Sequence, residues 1–258
     1  MLDWVRASFV FFAYVLVAAS FVRGLPLGRR LRATAGAVSG LIVTAAAQAQ
    51  PHHAVLHDWI VPPALLLLGY WGSGLLFAAP MPRAERTLAE LDRALDIDRT
   101  AARMPRSLAE LLEIAYGGVY PLIPIAFVIH LLATPEPDPE RFWTTILVTD
   151  YICFGFLPWV QTRPPRAFRA GDPWFARFRR MNLRILGKTS IQVNTFPSGH
   201  AAEALAAALL VIGAPLPWVA AVAIGAVLVS AGAVFGRYHY AADAIAGWIV
   251  AVTVWAAL

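Results

Sequence analysis

The chain has 258 residues, of which 59% are hydrophobic and only 14% charged, and its mean hydropathy is +0.62. A soluble domain has about a quarter of its residues charged, so these values exclude an ordinary soluble protein and indicate an integral membrane protein. The net charge is +5, and the single cysteine, Cys153, excludes an intrachain disulfide.

Eight apolar segments approach the roughly 20 residues that an α-helix needs to cross a bilayer. They are residues 5–22, 33–49, 60–79, 111–133, 142–160, 198–213, 217–235 and 241–258. The fourth contains Pro121 and Pro124, which we expect to kink its helix. The sequence therefore predicts an all-α fold, a polytopic membrane helix bundle with about eight transmembrane helices.

Two longer polar stretches, residues 80–110 and 161–197, interrupt the apolar pattern. The first has leucines at helical spacing among charges, which fits either an amphipathic helix on the membrane surface or a solvated helical linker. With eight crossings, 19 of the 21 basic residues fall on one side of the membrane. Because Lys and Arg are enriched in cytoplasmic loops, we expect this side to be the cytoplasmic face of a bacterial inner membrane.

Two short motifs open the sixth and eighth predicted spans. Ser198 and Gly199 leave free backbone N–H groups at a helix N-terminus, which is a ready anion site, and His200 in the first turn can act there as a general acid. His239 and Asp243 are one helical turn apart. The carboxylate can therefore hold one ring nitrogen while the other attacks phosphorus.

Two arginines flank the same membrane boundary as these histidines. Arg163 and Arg237 have planar, permanently charged side chains that match phosphate oxygens. Each feature alone has an ordinary explanation, such as a helix cap, an interfacial hydrogen bond or a membrane-flanking arginine. Together, in this order and on one side, they favour phosphoryl transfer. A transporter would show interrupted helices in two matching halves, a symmetry that this sequence does not show, and a non-catalytic binding protein would not need both histidines.

These motifs resemble the three signature motifs of the type-2 phosphatidic acid phosphatase superfamily. The matching residues are Arg163-Pro164, Pro197-Ser198-Gly199-His200 and His239-x-x-x-Asp243. The resemblance implies a six-helix, phosphatase-like catalytic core in residues 111–258. Residues 1–110 would then contribute N-terminal transmembrane helices and an amphipathic surface segment.

The resemblance also implies the roles of the residues. According to this resemblance, His239 is the nucleophile, Asp243 is its partner, and His200 is the acid that protonates the leaving group. The phosphate ligands that it implies are Arg163, Ser198 and Gly199. The mechanism would be independent of metals and cofactors. The substrate would be a lipid phosphate of the phosphatidate, phosphatidylglycerol phosphate or isoprenyl diphosphate type, held in the bilayer, with no nucleic acid as partner.

At two positions where the family's motifs have a cationic residue, this chain has an uncharged one. Phe156 stands where the first motif has a lysine, and Ala233 where the third has an arginine. Arg237 and Lys188 are the candidates to replace them. The sequence Arg-Tyr-His-Tyr and the additional N-terminal helices look more like the branch that includes inositol phosphorylceramide synthases. Those enzymes transfer a phosphorylated headgroup such as phosphoinositol to a lipid acceptor, so hydrolysis and transfer both remain open.

Further polar residues lie in or near the predicted spans. Glu203 is three residues after His200 on the same helical face, and together with Tyr238 and Asn194 it is a candidate for contacting a headgroup or supporting the site. Asp150 and His130 lie deeper, on neighbouring spans. Because ionisable groups at such depth are costly and usually paired, we predict a structural Asp150–His130 pair.

Overall fold

A computed structural model describes residues 2–50 and 53–258. Three residues of the predicted N-terminal unit, Met1, Pro51 and His52, therefore lie outside the described residues. The described helices are α1 (Asp3–Phe21), α2 (Leu27–Gln48), α3 (Val61–Gly74), α4 (Pro82–Ala94), α5 (Ile97–Ala102), α6 (Arg106–Gly117), α7 (Val119–Ala133), α8 (Pro139–Gly155), α9 (Arg177–Thr189), α10 (Gly199–Leu210), α11 (Leu216–Phe235) and α12 (Ala241–Ala257). A π-helical turn, Leu56–Ile60, leads into α3, and a short 3₁₀ turn, Pro165–Ala167, follows α8. The prediction of an all-helical membrane bundle is confirmed.

The eight predicted spans are helical over most of their length, but the helices differ in length and polarity. By length and composition, α1 and α11 are each able to cross a membrane. Helices α6 and α7 would form a third span together, but they are bent by 65° relative to each other. The bend lies at Gly118, three residues before Pro121. A proline cannot donate to the carbonyl group four residues earlier, here that of Gly117, and its ring clashes with that group. The predicted bend of this segment is therefore present, in the turn that precedes Pro121, whereas Pro124 lies within α7.

Helix α10 lies at the centre of the bundle and packs against α7, α8, α11 and α12. Most of its buried residues are alanines, whose small side chains let neighbouring backbones approach closely. Helix α12 comes nearest at Gly247, where an added Cβ would lie 2.5 Å from the carbonyl oxygen of Ser198. This approach holds the first turns of α10 and α12 together, and those turns bear the predicted motifs.

Among the N-terminal helices, α1 and α3 pack against α8, and α2 packs against α1 and α3. The hydroxyl groups of Ser8 in α1 and Tyr151 in α8 lie 3.0 Å apart. The indole of Trp143 in α8 donates to the carbonyl oxygen of Asp58, just before α3, at 2.8 Å. Helices α1 to α3 therefore form one body with the rest of the bundle, and the predicted boundary near residue 111 stays a prediction.

The predicted Asp150–His130 pair is wrong. Nδ1 of His130 lies 2.8 Å from the carbonyl oxygen of Leu210, and its Nε2 accepts a hydrogen bond from the backbone N–H of Asp138 at 2.9 Å. Both ring nitrogens are thus used by the backbone at helix ends, where carbonyl and N–H groups lack partners within the helix. Asp150 lies elsewhere, beside Gly199 and Glu203.

Candidate active site

The N-terminus of α10 presents Ser198, Gly199 and His200 at one end of the bundle. Ser198 caps the helix, because its Oγ accepts a hydrogen bond from the backbone N–H of Ala201 at 3.3 Å. Its own N–H donates to the carbonyl oxygen of Asp243 at 2.9 Å. At Gly199, an added Cβ would lie only 3.0 Å from a carboxylate oxygen of Asp150. The helix therefore begins close against its neighbours, with His200 in its first turn.

His239 and Asp243 lie at the matching end of α12. Asp243 is fully buried, and its Oδ2 lies 3.5 Å from Nδ1 of His239. The same oxygen accepts from the backbone N–H of Tyr240 at 2.8 Å and from Nδ2 of Asn194 at 2.9 Å. These bonds hold the carboxylate beside one ring nitrogen, so Nε2 is the nitrogen that remains for a substrate. Asn194 thus supports Asp243.

The two histidines face each other with ring centroids 6.2 Å apart. A small polar cavity of about 20 Å³ lies against both of them. It is also lined by side chains from α3, α6 and the loops, including Tyr70, Tyr116, Arg166, Thr195 and Tyr238. The sequence-predicted His200, His239 and Gly199 are therefore brought together at one cavity, next to an arginine.

The arginine at this cavity is Arg166, which sequence reasoning did not single out. Its Nη1 donates to the carbonyl oxygen of Tyr238 at 3.3 Å, and its guanidinium carbon lies 5.4 Å from the centroid of that ring. Within the described residues it forms no ion pair with a carboxylate. The sequence Arg163-Pro164-Pro165-Arg166 has an arginine on each side of two prolines. The family resemblance pointed to the first of these arginines, and the second was the feature that could have revealed Arg166.

The other predicted cations lie outside the polar cavity. Arg163 forms a two-pronged ion pair with Glu85 of α4, at 2.9 and 2.8 Å, and this pair lowers the pKa of the glutamate. The Nε of Arg237 donates to Oδ1 of Asp98 at 2.9 Å, and its Nη1 to the carbonyl oxygen of Gly171 at 3.0 Å. Lys188 is exposed on α9. The acidic side chains of α4 and α5 therefore occupy two of the guanidinium groups that the sequence analysis assigned to phosphate.

A carboxylate also accompanies His200. Its Nδ1 lies 3.0 Å from Oε1 of Glu203, one turn further along α10. Asp150 lies close to Glu203 and is fully buried, and neither of its carboxylate oxygens has a hydrogen-bond partner among the described residues. Tyr116 and Tyr120 present their rings to the imidazole at 5.6 and 5.7 Å between centroids. Each histidine of the site thus has a carboxylate beside its Nδ1.

Tyr238 belongs to a buried network around Glu113 of α6. Its hydroxyl donates to Oε2 of Glu113 at 2.6 Å, and its ring stacks on Tyr116 at 3.9 Å between centroids. Trp174 and Arg179 donate to the other oxygen of Glu113 at 2.9 and 3.1 Å. This network ties α6 and α9 to the turn that precedes His239. It fixes the wall of the polar cavity.

Burial governs the protonation of His239. The ring lies between helix ends with little exposure to water, and this desolvation lowers its pKa below the ordinary 6.5. Asp243 opposes the shift, while His200 and Arg166 add to it. Burial therefore favours the neutral imidazole, the form in which a ring nitrogen can act as a nucleophile.

A second, apolar cavity of about 350 Å³ adjoins the polar one. Tyr70, Phe154 and His200 line both cavities, and Glu203 lines the apolar one. Apart from these groups its walls are mainly aliphatic and aromatic side chains of α3, α7 and α8. The arrangement offers a polar compartment for an anion and an apolar compartment for a chain, with His200 between them.

A family model described as the PAP2 superfamily matches residues 86–257 of the chain. The matched region begins within α4 and includes both histidines, their carboxylates and Arg166, but none of α1 to α3. No curated protein and no solved structure gives a significant match to the chain.

Proposed function

Since this chain belongs to the PAP2 superfamily of phosphatase-type enzymes, we propose that it is an integral membrane lipid phosphate phosphatase that works through a phosphohistidine intermediate. The observation that supports this best is the pair of histidines, each beside a carboxylate, facing one another across a cavity lined by Arg166. The substrates that fit are lipids with a terminal phosphate, of the phosphatidate, phosphatidylglycerol phosphate or isoprenyl diphosphate type.

In the first step His239 acts as the nucleophile. Asp243 holds Nδ1, so that Nε2 attacks phosphorus and the bond from phosphorus to the lipid oxygen breaks. The leaving oxygen takes a proton from Nε2 of His200, which lies on the opposite side of the cavity. Arg166 balances the negative charge that spreads over the equatorial phosphoryl oxygens.

In the second step water releases the phosphate. The now neutral His200 accepts a proton from a water molecule as its oxygen attacks phosphorus. The nitrogen–phosphorus bond breaks, and its electron pair returns to His239. In a phosphotransferase, the alternative reaction, the hydroxyl of a lipid acceptor would take the place of this water. Products from a lipid phosphate with and without an added alcohol distinguish the two reactions.

Trapping of the intermediate tests the proposal. The purified protein in detergent, mixed for one turnover with ³²P-labelled phosphatidate and quenched in base, is expected to retain label that is acid-labile and located on His239. His239→Ala is expected to abolish both the label and phosphate release, whereas His53→Ala, at an exposed position, leaves both unchanged. Full turnover by His239→Ala would contradict the assignment.

We further propose that the site faces the cytoplasm of a bacterial cell, because the short 23–32 connection is strongly basic and lies on the same side as the site in the eight-crossing arrangement. Gly28 and Gly187 have open space where a side chain would be added. Gly28→Cys and Gly187→Cys, each in a Cys153→Ser background, are expected to resist a membrane-impermeant thiol reagent in intact cells. Labelling of both in intact cells would place the site outside.

A further inference from the structure

One wall of the apolar cavity comes from α3 and the turn before it. The residues are Trp59, Pro63, Leu66, Leu67, Tyr70 and Trp71. Their spacing follows i, i+4, i+7, i+8, i+11 and i+12, so they form one continuous face of the helix. All of them precede residue 86, where the match to the family model begins. The facing wall, from α7 and α8, lies within the matched region.

Both ends of this wall are fixed to the rest of the bundle. At the end near the histidines, the indole of Trp71 donates to the carbonyl oxygen of Thr189 at 2.9 Å, and the hydroxyl of Tyr70 donates to Oγ of Ser190 at 3.2 Å. At the other end Trp143 bonds to the backbone of Asp58. The cavity is therefore a formed site between anchored helices.

The position of His200 defines what enters this cavity. Its ring lines both the polar and the apolar cavity. An acid that protonates the leaving oxygen must sit where the phosphate ends and the leaving alcohol begins. The hydrocarbon chain of that alcohol then extends into the apolar cavity. With each methylene taken as about the 30 Å³ of a water molecule, the volume of about 350 Å³ holds roughly a dozen methylene groups, which is one chain.

We propose that α3, from outside the family's matched region, forms the chain-binding subsite of this enzyme and sets its selectivity for a single apolar chain of about this length. This proposal rests on the proposed phosphatase function, because it assigns the chain to the leaving alcohol. Among the lipid phosphates of the proposed function, this subsite favours an amphiphile with a terminal phosphate on one unbranched or isoprenoid-like chain over the two-chain phosphatidate and phosphatidylglycerol phosphate.

A series of n-alkyl phosphates from butyl to hexadecyl, assayed in detergent, tests the subsite. For the unaltered protein kcat/KM is expected to rise with chain length and level off near twelve carbons. Leu66→Trp fills the cavity, so it is expected to lower kcat/KM for dodecyl phosphate by about tenfold and for butyl phosphate by less than about twofold. Leu66→Ala enlarges the cavity and moves the plateau to longer chains. Leu132→Trp, on the outer face of α7 with 82% exposure, is the matched control and leaves the series unchanged.

Binding of the corresponding alkyl phosphonates, measured by calorimetry, separates the two proposals. If longer phosphonates bind more tightly and Leu66→Trp removes that gain, the subsite stands even when no phosphate ester is hydrolysed, and only the phosphatase function fails. If Leu66→Trp still binds butyl phosphonate and keeps the chain-length dependence of the unaltered protein, the subsite is overturned.

Discussion

Nδ1 of His200 lies 3.0 Å from Oε1 of Glu203, one helical turn further along α10. The carboxylate fixes the orientation of the imidazole and leaves Nε2 as the nitrogen that meets a substrate. At His239 the carboxylate lies four residues later, and Oδ2 of Asp243 is 3.5 Å from Nδ1. Two histidines that each have a carboxylate beside Nδ1 can serve as a nucleophile and as an acid.

Glu203 is expected to position His200 as the acid. Glu203→Ala should lower kcat for an alkyl phosphate by about 10²-fold, because a well-placed general acid is worth at least that factor. The loss should be much smaller for p-nitrophenyl phosphate, whose leaving group needs little protonation. Glu203→Gln keeps an acceptor near Nδ1 and should recover part of the activity. An equal loss for both esters would mean that the substitution disturbs the site as a whole.

The acid limb of the pH–rate profile is expected to lie below pH 6.5. Burial lowers the pKa of His239 below that value, and the nucleophile must be neutral. Protonation is therefore less favourable in the folded than in the unfolded protein, and the stability contributed by the neutral ring is lost as the pH falls. In Asp243→Asn the carboxylate that opposes the shift is gone, so the limb should move to still lower pH while kcat falls. An acid limb above pH 7 in the unaltered protein would contradict this.

Arg166 is expected to be the cation that binds the phosphoryl group. Arg166→Ala should reduce kcat/KM by about 10²- to 10³-fold, as the loss of a preorganised donor does in other phosphoryl and acyl transfers. Arg166→Lys should recover only part of the lost kcat/KM, because an ammonium group cannot make the two parallel hydrogen bonds of a planar guanidinium. Arg237→Ala, which removes the contact with Asp98, serves as the comparison and should lose much less. The reverse order would assign the phosphate to Arg237.

Glu113 is expected to be required for stability. Glu113→Ala removes the buried carboxylate beside the guanidinium of Arg179, which then keeps its contacts with the exposed Asp172, the ring of Tyr238 and the backbone. The expected cost is about 3–5 kcal/mol in the free energy of unfolding, measured by thermal unfolding in detergent. Glu90→Ala breaks an exposed contact with Arg93 at 3.8 Å and should change stability by less than about 1 kcal/mol. Equal stability of the two variants would exclude a structural role for the network.

The sequence by itself determined the class of the protein, its helices and the local neighbours of the two histidines. Composition and apolar runs predicted a helical membrane bundle because they report burial in lipid or protein directly. The pairs His200–Glu203 and His239–Asp243 could be read from spacing, since residues three or four apart on a helix are neighbours whatever surrounds them.

The tertiary structure decided which loop cation lies at the cavity between the histidines and which distant helix lines the apolar cavity beside it. Arg163, Arg166 and Arg237 have the same chemistry, and their roles separate because Glu85 and Asp98 of α4 and α5 are brought against two of them. The apolar cavity likewise depends on the packing of α3 against α8 and on the position of α7 across the cavity from it, more than 40 positions away in sequence. Spacing along one helix fixes local neighbours, whereas contacts between separate segments depend on how all the helices pack together.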